Sequence, residues 1–181
     1  MLRLSKKADY ALIALNHLAQ RRGGAGVSVS ARDIAERYDI PVMIFAPFAV
    51  AKIGAIAERH PKLRVIVDHM GLNVQWKGKD LSPGVDLLLK FARFDNVGVK
   101  VSCLPLYVDE PYPYPTLHPQ VHRVVDAFGA QRLFWGTDLS QSPCSYRQNV
   151  TLFTDALDFL STCDKELIMG KALAQWLRWP I

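Results

Sequence analysis

Residues 63–71 read LRVIVDHMG, an apolar run that ends in Asp68, His69 and Gly71. A short run of β-branched residues without alternation is typical of a strand that is buried on both faces. In a (β/α) barrel, polar side chains at the carboxyl ends of such strands form the active face. This stretch therefore predicts a buried parallel strand with candidate chemistry where it stops.

Two later stretches repeat this pattern. Residues 96–102 read NVGVKVS, and residues 132–138 read RLFWGTD and end in a carboxylate. Segments with helical periodicity separate the apolar runs from Val42 onward. Alternating strands and helices of this length predict parallel βαβ units with right-handed connections, and so an α/β fold over residues 42–181.

Residues 1–41 do not follow that alternation. Residues 5–22 have the apolar spacing of an amphipathic helix. Ser30, with Asp33 three residues later, is the signature of a capping box that opens a second helix, Ala31–Tyr38. Pro41 disfavours helical geometry at the residue before it and ends this helix. Two such helices resemble the start of a winged helix-turn-helix.

The charge distribution gives at most a weak argument for nucleic acid as a partner, and we expect none. The net charge is +5, with seven basic against four acidic residues in the first 41 positions and fifteen against thirteen in the remainder. The basic excess is thus spread thinly. The apolar positions near the amino terminus are periodic and interrupted by polar residues, so we expect neither a signal peptide nor a membrane span.

The three cysteines point to a reducing compartment. Cys103, Cys144 and Cys163 are far apart and show no zinc-binding or redox spacing. Reduced thiols in a cytoplasmic protein are the simplest interpretation.

Three residues are candidates for chemistry. His69 and Asp138 follow strands, where they could share one divalent metal ion or act as a base and its partner. If Val97, Val99 and Val101 face the helices, Lys100 lies on the opposite face, toward the barrel axis. There it needs a carboxylate, a substrate anion or water as its partner.

Four segments, HPKLRVIVDHMG, NVGVKVSCLP, AFGAQRLFWGTD and ELIMGKALAQWL, together resemble the carboxyl-terminal half of the amidohydrolase-related superfamily. The resemblance implies a partial, half TIM-type barrel of about four parallel strands, and a metal-dependent hydrolase that cleaves an ester, lactone or amide. It implies that Asp138 binds metal and transfers a proton, that His69 binds metal or substrate, and that the ion is zinc or manganese.

The same resemblance shows what this sequence lacks. The His-x-His of the family's first strand occurs nowhere in the chain, and the fifth strand reads VMIFA without a histidine. This sequence has a matching residue at only two of the family's metal-ligand positions, whereas a catalytic zinc site has three protein ligands. We therefore expect weak or no activity from this chain alone and an uncovered inner sheet face. The consequence is a homodimer that completes the barrel, docking of residues 1–41 over the gap, or poor solubility.

Residues 1–41, MLRLSKKADYALIALNHLAQ and then VSARDIAERYDIP in outline, resemble the amino terminus of the Rrf2 family of transcription regulators. The sequence is thus interpreted as a fusion near residue 41 of two regulator helices with half a hydrolase. Two alternatives follow from this interpretation. The chain could be a DNA-binding regulator, with residues 48–59 as its only candidate recognition helix, or a catalytically silent half barrel that acts only by association.

Overall fold

The computed structural model describes residues 6–20 and 29–179 and separates two units, residues 1–40 and 41–181. The first unit contains helices α1 (Lys6–Gln20) and α2 (Ala31–Tyr38). At the start of α2, Ser30 Oγ accepts a hydrogen bond from the Asp33 N–H at 3.2 Å. Asp33 Oδ2 accepts one from the Ser30 N–H at 2.9 Å. The predicted capping box is therefore confirmed.

Helix α1 buries a histidine and exposes its leucines. The ring of His17 is buried and meets the edge of the Tyr38 ring at a centroid distance of 5.6 Å. Leu12, Leu15 and Leu18 are 52%, 61% and 44% exposed. The outermost residues of the predicted helix, at 5, 21 and 22, lie outside the described residues. The Rrf2-like character of this segment stays a prediction.

The second unit is built on one open, parallel sheet. Its strands are β1 (Val42–Ile44), β2 (Val65–Val67), β3 (Val97–Ser102) and β4 (Leu133–Gly136), and they lie side by side in chain order. All three neighbouring pairs are parallel. Within the described ranges, no further strand pairs with the outer edge of β1 or β4. This sheet confirms the predicted α/β class and partial (β/α) barrel.

Helices α3 (Val50–Arg59), α4 (Ser82–Leu89) and α5 (Leu117–Phe128) connect the strands. The apolar side of α3 is buried within this unit, so the helix proposed for DNA recognition serves as a packing helix. Burial of each large side chain in such a core contributes about 2 kcal/mol. The fully buried strand residues are Val65, Val67, Val97, Val99, Val101 and Leu133.

The carboxyl-terminal segment corrects the expectation of a bare inner sheet face. It contains α6 (Tyr146–Thr151), α7 (Thr162–Glu166) and α8 (Ala172–Trp176), and a wider π-helical turn follows each of the first two. The Trp176 ring meets the Phe134 ring of β4 edge-on at 5.1 Å. Part of the inner face is therefore covered. The apolar cluster comprises Ile66, Phe134, Ala172, Leu167, Leu173 and Trp176.

Close packing on this inner face gives a first prediction. A Cβ atom on Gly98 would lie 2.6 Å from a ring carbon of Phe134. Gly98→Ala should therefore lower the free energy of unfolding by about 1–3 kcal/mol, measured by urea denaturation. Phe134→Leu in the same background should recover part of the loss because it frees the space. A Gly98→Ala protein as stable as the parent would contradict this packing.

Each helix in the described part of the chain is too short or too polar to span a membrane.

Candidate metal centre

Three strands end in side chains that converge on one point. His69 lies two residues after β2, Cys103 directly follows β3, and Asp138 lies two residues after β4. All three have left-handed backbone geometry, with φ of 51°, 61° and 50°. That geometry costs a non-glycine residue about 1–2 kcal/mol. Such strain concentrates at functional sites, which makes this edge of the sheet the candidate site.

The predicted pair is brought together. His69 Nε2 lies 3.4 Å from Asp138 Oδ2 and 3.3 Å from Asp68 Oδ2. The His69 side chain is 11% exposed and the Asp138 side chain is 33% exposed. One donor atom each from His69, Cys103 and Asp138 lie within 4.8 Å of one another. An imidazole, a thiol and a carboxylate at this spacing can hold a divalent metal ion.

Two neighbours orient the imidazole of His69. Its Nδ1 lies 2.8 Å from the buried Ser102 Oγ, and its ring meets the edge of the Phe45 ring at 5.3 Å. When Nδ1 donates its proton to the serine oxygen, the lone pair of Nε2 faces the carboxylates. A hydrogen bond of this kind fixes the tautomer of a metal-binding histidine and the orientation of its ring.

Lys100 faces the inner side of the sheet and has a carboxylate partner. Its Nζ lies 3.0 Å from Asp68 Oδ1, which makes the two groups an ion pair. The contact does not have the geometry of a hydrogen bond. A Cβ atom on Gly136 would lie 2.9 Å from Lys100 Cε, so the glycine provides the space for this side chain. The ammonium group offsets the charge of Asp68, which leaves Asp138 as the carboxylate available to a cation or a proton.

Cys103 is the least expected member of the cluster. The residue is 3% exposed. Burial raises the pKa of its thiol to about 12, and the charge of Asp138 and a hydrogen bond to it add to this effect. Without a cation the sulfur is thus a protonated thiol, whereas a coordinating metal ion favours the thiolate.

The Lys100–Asp68 pair gives a second prediction. Lys100→Met removes the counter-charge of a carboxylate that is only 13% exposed and should cost about 2–3 kcal/mol of unfolding free energy. In the matched control Lys77→Met, the lost partner is the exposed Asp109 at 3.5 Å, so the cost should stay below about 1 kcal/mol. Urea denaturation of the two variants compares these costs. Equal losses would show that Lys100 does not stabilise a buried charge.

The sequence did not assign Ser102, Asp68 or Cys103 a role in the site. Their shared signal was position. Asp68 directly precedes His69 after β2, and Ser102 and Cys103 lie at the end of β3, between the strands that lead to His69 and Asp138. A cavity of about 570 Å³ is lined in part by Tyr107, Asp109 and Glu110. His69, Cys103 and Asp138 are not among its lining residues. It is therefore not assigned to this site.

An open parallel sheet of four strands, with a candidate metal centre at its carboxyl edge, is the architecture of a partial (β/α) barrel. The amidohydrolase family model matches residues 10–178. The chain therefore belongs to the amidohydrolase family. The match starts within α1, and nothing in it identifies the first unit as Rrf2-like.

Comparison with known proteins identifies a related enzyme and solved structures with the same fold. Over 98 residues, the chain is 37% identical to an L-fucono-1,5-lactonase of Burkholderia ambifaria, covering 52% of this chain and 32% of the relative. The chain thus spans about a third of that enzyme.

Two solved structures show the same fold at low sequence identity. The chain superimposes on a zinc-bound amidohydrolase of Burkholderia multivorans with a TM-score of 0.72 and 19% identity, covering 93% of this chain and 71% of that one. A putative 2-pyrone-4,6-dicarboxylic acid hydrolase of Pseudomonas putida gives a TM-score of 0.64 and 20% identity, with coverage of 93% and 68%.

Proposed function

We propose that this chain is a metal-dependent hydrolase that cleaves a carbonyl compound, an ester, lactone or amide, with a sugar 1,5-lactone as the first substrate class to test. The observation that carries the proposal is the 3.4 Å approach of His69 Nε2 to Asp138 Oδ2 at the carboxyl edge of an amidohydrolase sheet. The lactone class is supported by the 37% identity to the L-fucono-1,5-lactonase.

Each residue of the site has a separate role, which follows from its charge and its exposure. A bound zinc or manganese ion would polarise the carbonyl and make water a better nucleophile. Asp138, one-third exposed, accepts the proton of the attacking water and returns it to the leaving group. His69 binds the ion or the substrate oxygen through Nε2, while Ser102 holds its ring in place. Lys100 acts as a positioning residue, because its ammonium group offsets the negative charge of Asp68.

A second copy of the chain would complete the barrel in this proposal. The outer edge of β1 has no partner strand in the part of the chain that the structure describes. Around it, Met43, Phe45 and Phe48 are 50%, 56% and 82% exposed. An unpaired edge beside exposed apolar side chains favours association. The same surface supports the alternative of a silent half barrel that acts by association alone.

Sedimentation velocity tests the association. The parent chain should sediment as a dimer, and Phe48→Glu should shift it toward the monomer because a charge replaces the most exposed of the three apolar side chains. A parent chain that is monomeric at high concentration would contradict both the completed barrel and the silent half barrel.

The activity is tested with L-fucono-1,5-lactone in the presence of zinc or manganese. The measured quantity is the acid that hydrolysis releases. We expect a metal-dependent rate above the buffer rate, abolished by a chelator and low in absolute terms because the His-x-His ligands are absent from the sequence. Lys77→Met should keep the rate. Folded protein with no metal-dependent rate on lactones or esters would contradict the proposal.

We further propose a cytoplasmic location, where Cys103, Cys144 and Cys163 would remain the free thiols that the structure shows.

A further inference from the structure

We propose that the Cys103 thiolate is the third protein ligand of the divalent metal ion, beside His69 and Asp138, and that it makes the site selective for zinc over manganese. This inference rests on the proposed metal dependence but not on the hydrolysis. It assigns a role to the one member of the converging cluster that the proposed mechanism leaves unused.

The number of ligands is the first argument. His69 and Asp138 supply two protein ligands, and a catalytic zinc ion has three plus one open position. Cys103 supplies the third from β3, the strand that lies between the strands carrying the other two. All three side chains therefore reach the site from adjacent strand ends, without a contribution from β1.

The spacing of the donor atoms is the second argument. Bond lengths of about 2.0–2.3 Å to nitrogen, oxygen and sulfur place two ligands of a tetrahedral zinc ion about 3.3–3.7 Å apart. His69 Nε2 and Asp138 Oδ2 already lie 3.4 Å apart. The sulfur of Cys103 belongs to the same set within 4.8 Å. Small side-chain adjustments would therefore close the site around an ion.

The charge balance is the third argument. Lys100 offsets Asp68 at 3.0 Å, so that pair contributes no net charge. Asp138 and a Cys103 thiolate together carry two negative charges, which match one divalent cation in a site where Cys103 is 3% exposed. When the ion binds, the thiol proton is released to solvent and the sulfur–metal bond replaces the sulfur–hydrogen bond.

The type of ligand determines the selectivity. Thiolate sulfur is a soft donor that suits zinc and cobalt, whereas manganese and magnesium prefer oxygen ligands. A site with oxygen and imidazole ligands alone would accept manganese more readily. The Cys103 sulfur should therefore raise the preference for zinc over manganese, and its removal should reduce that preference.

Cobalt titration of the full chain tests the inference without a substrate. Cobalt bound by a thiolate has a charge-transfer absorption band in the near ultraviolet. The parent chain should show this band, and Cys103→Ser should lack it and bind zinc at least about tenfold more weakly. Cys163→Ser is the matched control, because Cys163 is an exposed free thiol that is not in the cluster. Circular dichroism establishes that each variant is folded, and Cys103→Ala provides a second variant.

The outcomes separate this inference from the proposed function. Loss of the band in folded Cys103→Ser and Cys103→Ala supports the thiolate ligand, whether or not lactone is hydrolysed. Metal binding by the parent chain without the band, or an unchanged band in both variants, overturns the inference and leaves the hydrolase proposal standing. A folded parent chain that binds neither cobalt nor zinc overturns both.

Discussion

Asp138→Asn is expected to lower the metal-dependent hydrolysis rate by about 10²–10⁴-fold. Asparagine has nearly the same shape as aspartate but cannot accept the proton of an attacking water. It is also a weaker partner for a cation at the position 3.4 Å from His69 Nε2. The measurement is kcat/KM on L-fucono-1,5-lactone at saturating zinc, together with the amount of bound metal.

Asp109→Asn is the matched control for this substitution. The Asp109 side chain is 62% exposed, and its ion pair with Lys77 at 3.5 Å lies outside the converging cluster. We expect the control to keep the parent rate. An Asp138→Asn protein with the parent rate, or equal losses in the two variants, would remove Asp138 from the proposed mechanism.

Arg132→Met is expected to lower the free energy of unfolding by about 3 kcal/mol. The Arg132 Nε donates to the Phe128 carbonyl at 2.8 Å, at the end of α5. Its Nη1 donates to the carbonyls of Ala92 and Phe94, each at 3.0 Å, in the turn that leads into β3. Methionine keeps a long apolar side chain but leaves these carbonyls without their donor, and it removes the guanidinium group that lies 5.1 Å from the centre of the Phe128 ring.

Arg123→Met controls for the loss of an arginine as such. Arg123 pairs with the exposed Asp86 on the surface between α4 and α5. Surface ion pairs of this kind contribute about 0–1 kcal/mol, so the control should be close to the parent in urea denaturation. If the two variants lose the same stability, the carbonyl contacts of Arg132 are not what stabilises the turn.

Local patterns in the sequence predicted much of the fold. The apolar run at residues 96–102 predicted a strand buried on both faces, and five of the six residues of β3 are buried. The spacing of Ser30 and Asp33 predicted the start of α2 because a capping box needs only four consecutive residues. Helix α4 ends at Leu89, and separate turns follow it up to Phe94.

Contacts between distant parts of the chain were not predictable in the same way. The packing of Trp176 on Phe134 depends on where the last helix crosses the sheet, which no local periodicity encodes. The pairing of Lys100 with Asp68 joins two neighbouring strands, whereas the residue pattern predicted only the face on which Lys100 lies. Cys103 had no ligand-like spacing along the chain, and only the parallel order of the strands brings it to His69 and Asp138.

A metal site formed by His69, Cys103 and Asp138 should retain its ion through purification. Elemental analysis of the purified full chain, with His69→Ala and Asp138→Ala as comparisons, measures the amount of bound metal. We expect about one zinc ion per folded chain and its loss in both variants. No bound metal in folded parent chain supplied with zinc would contradict it, and the family membership would then mark ancestry without a working site.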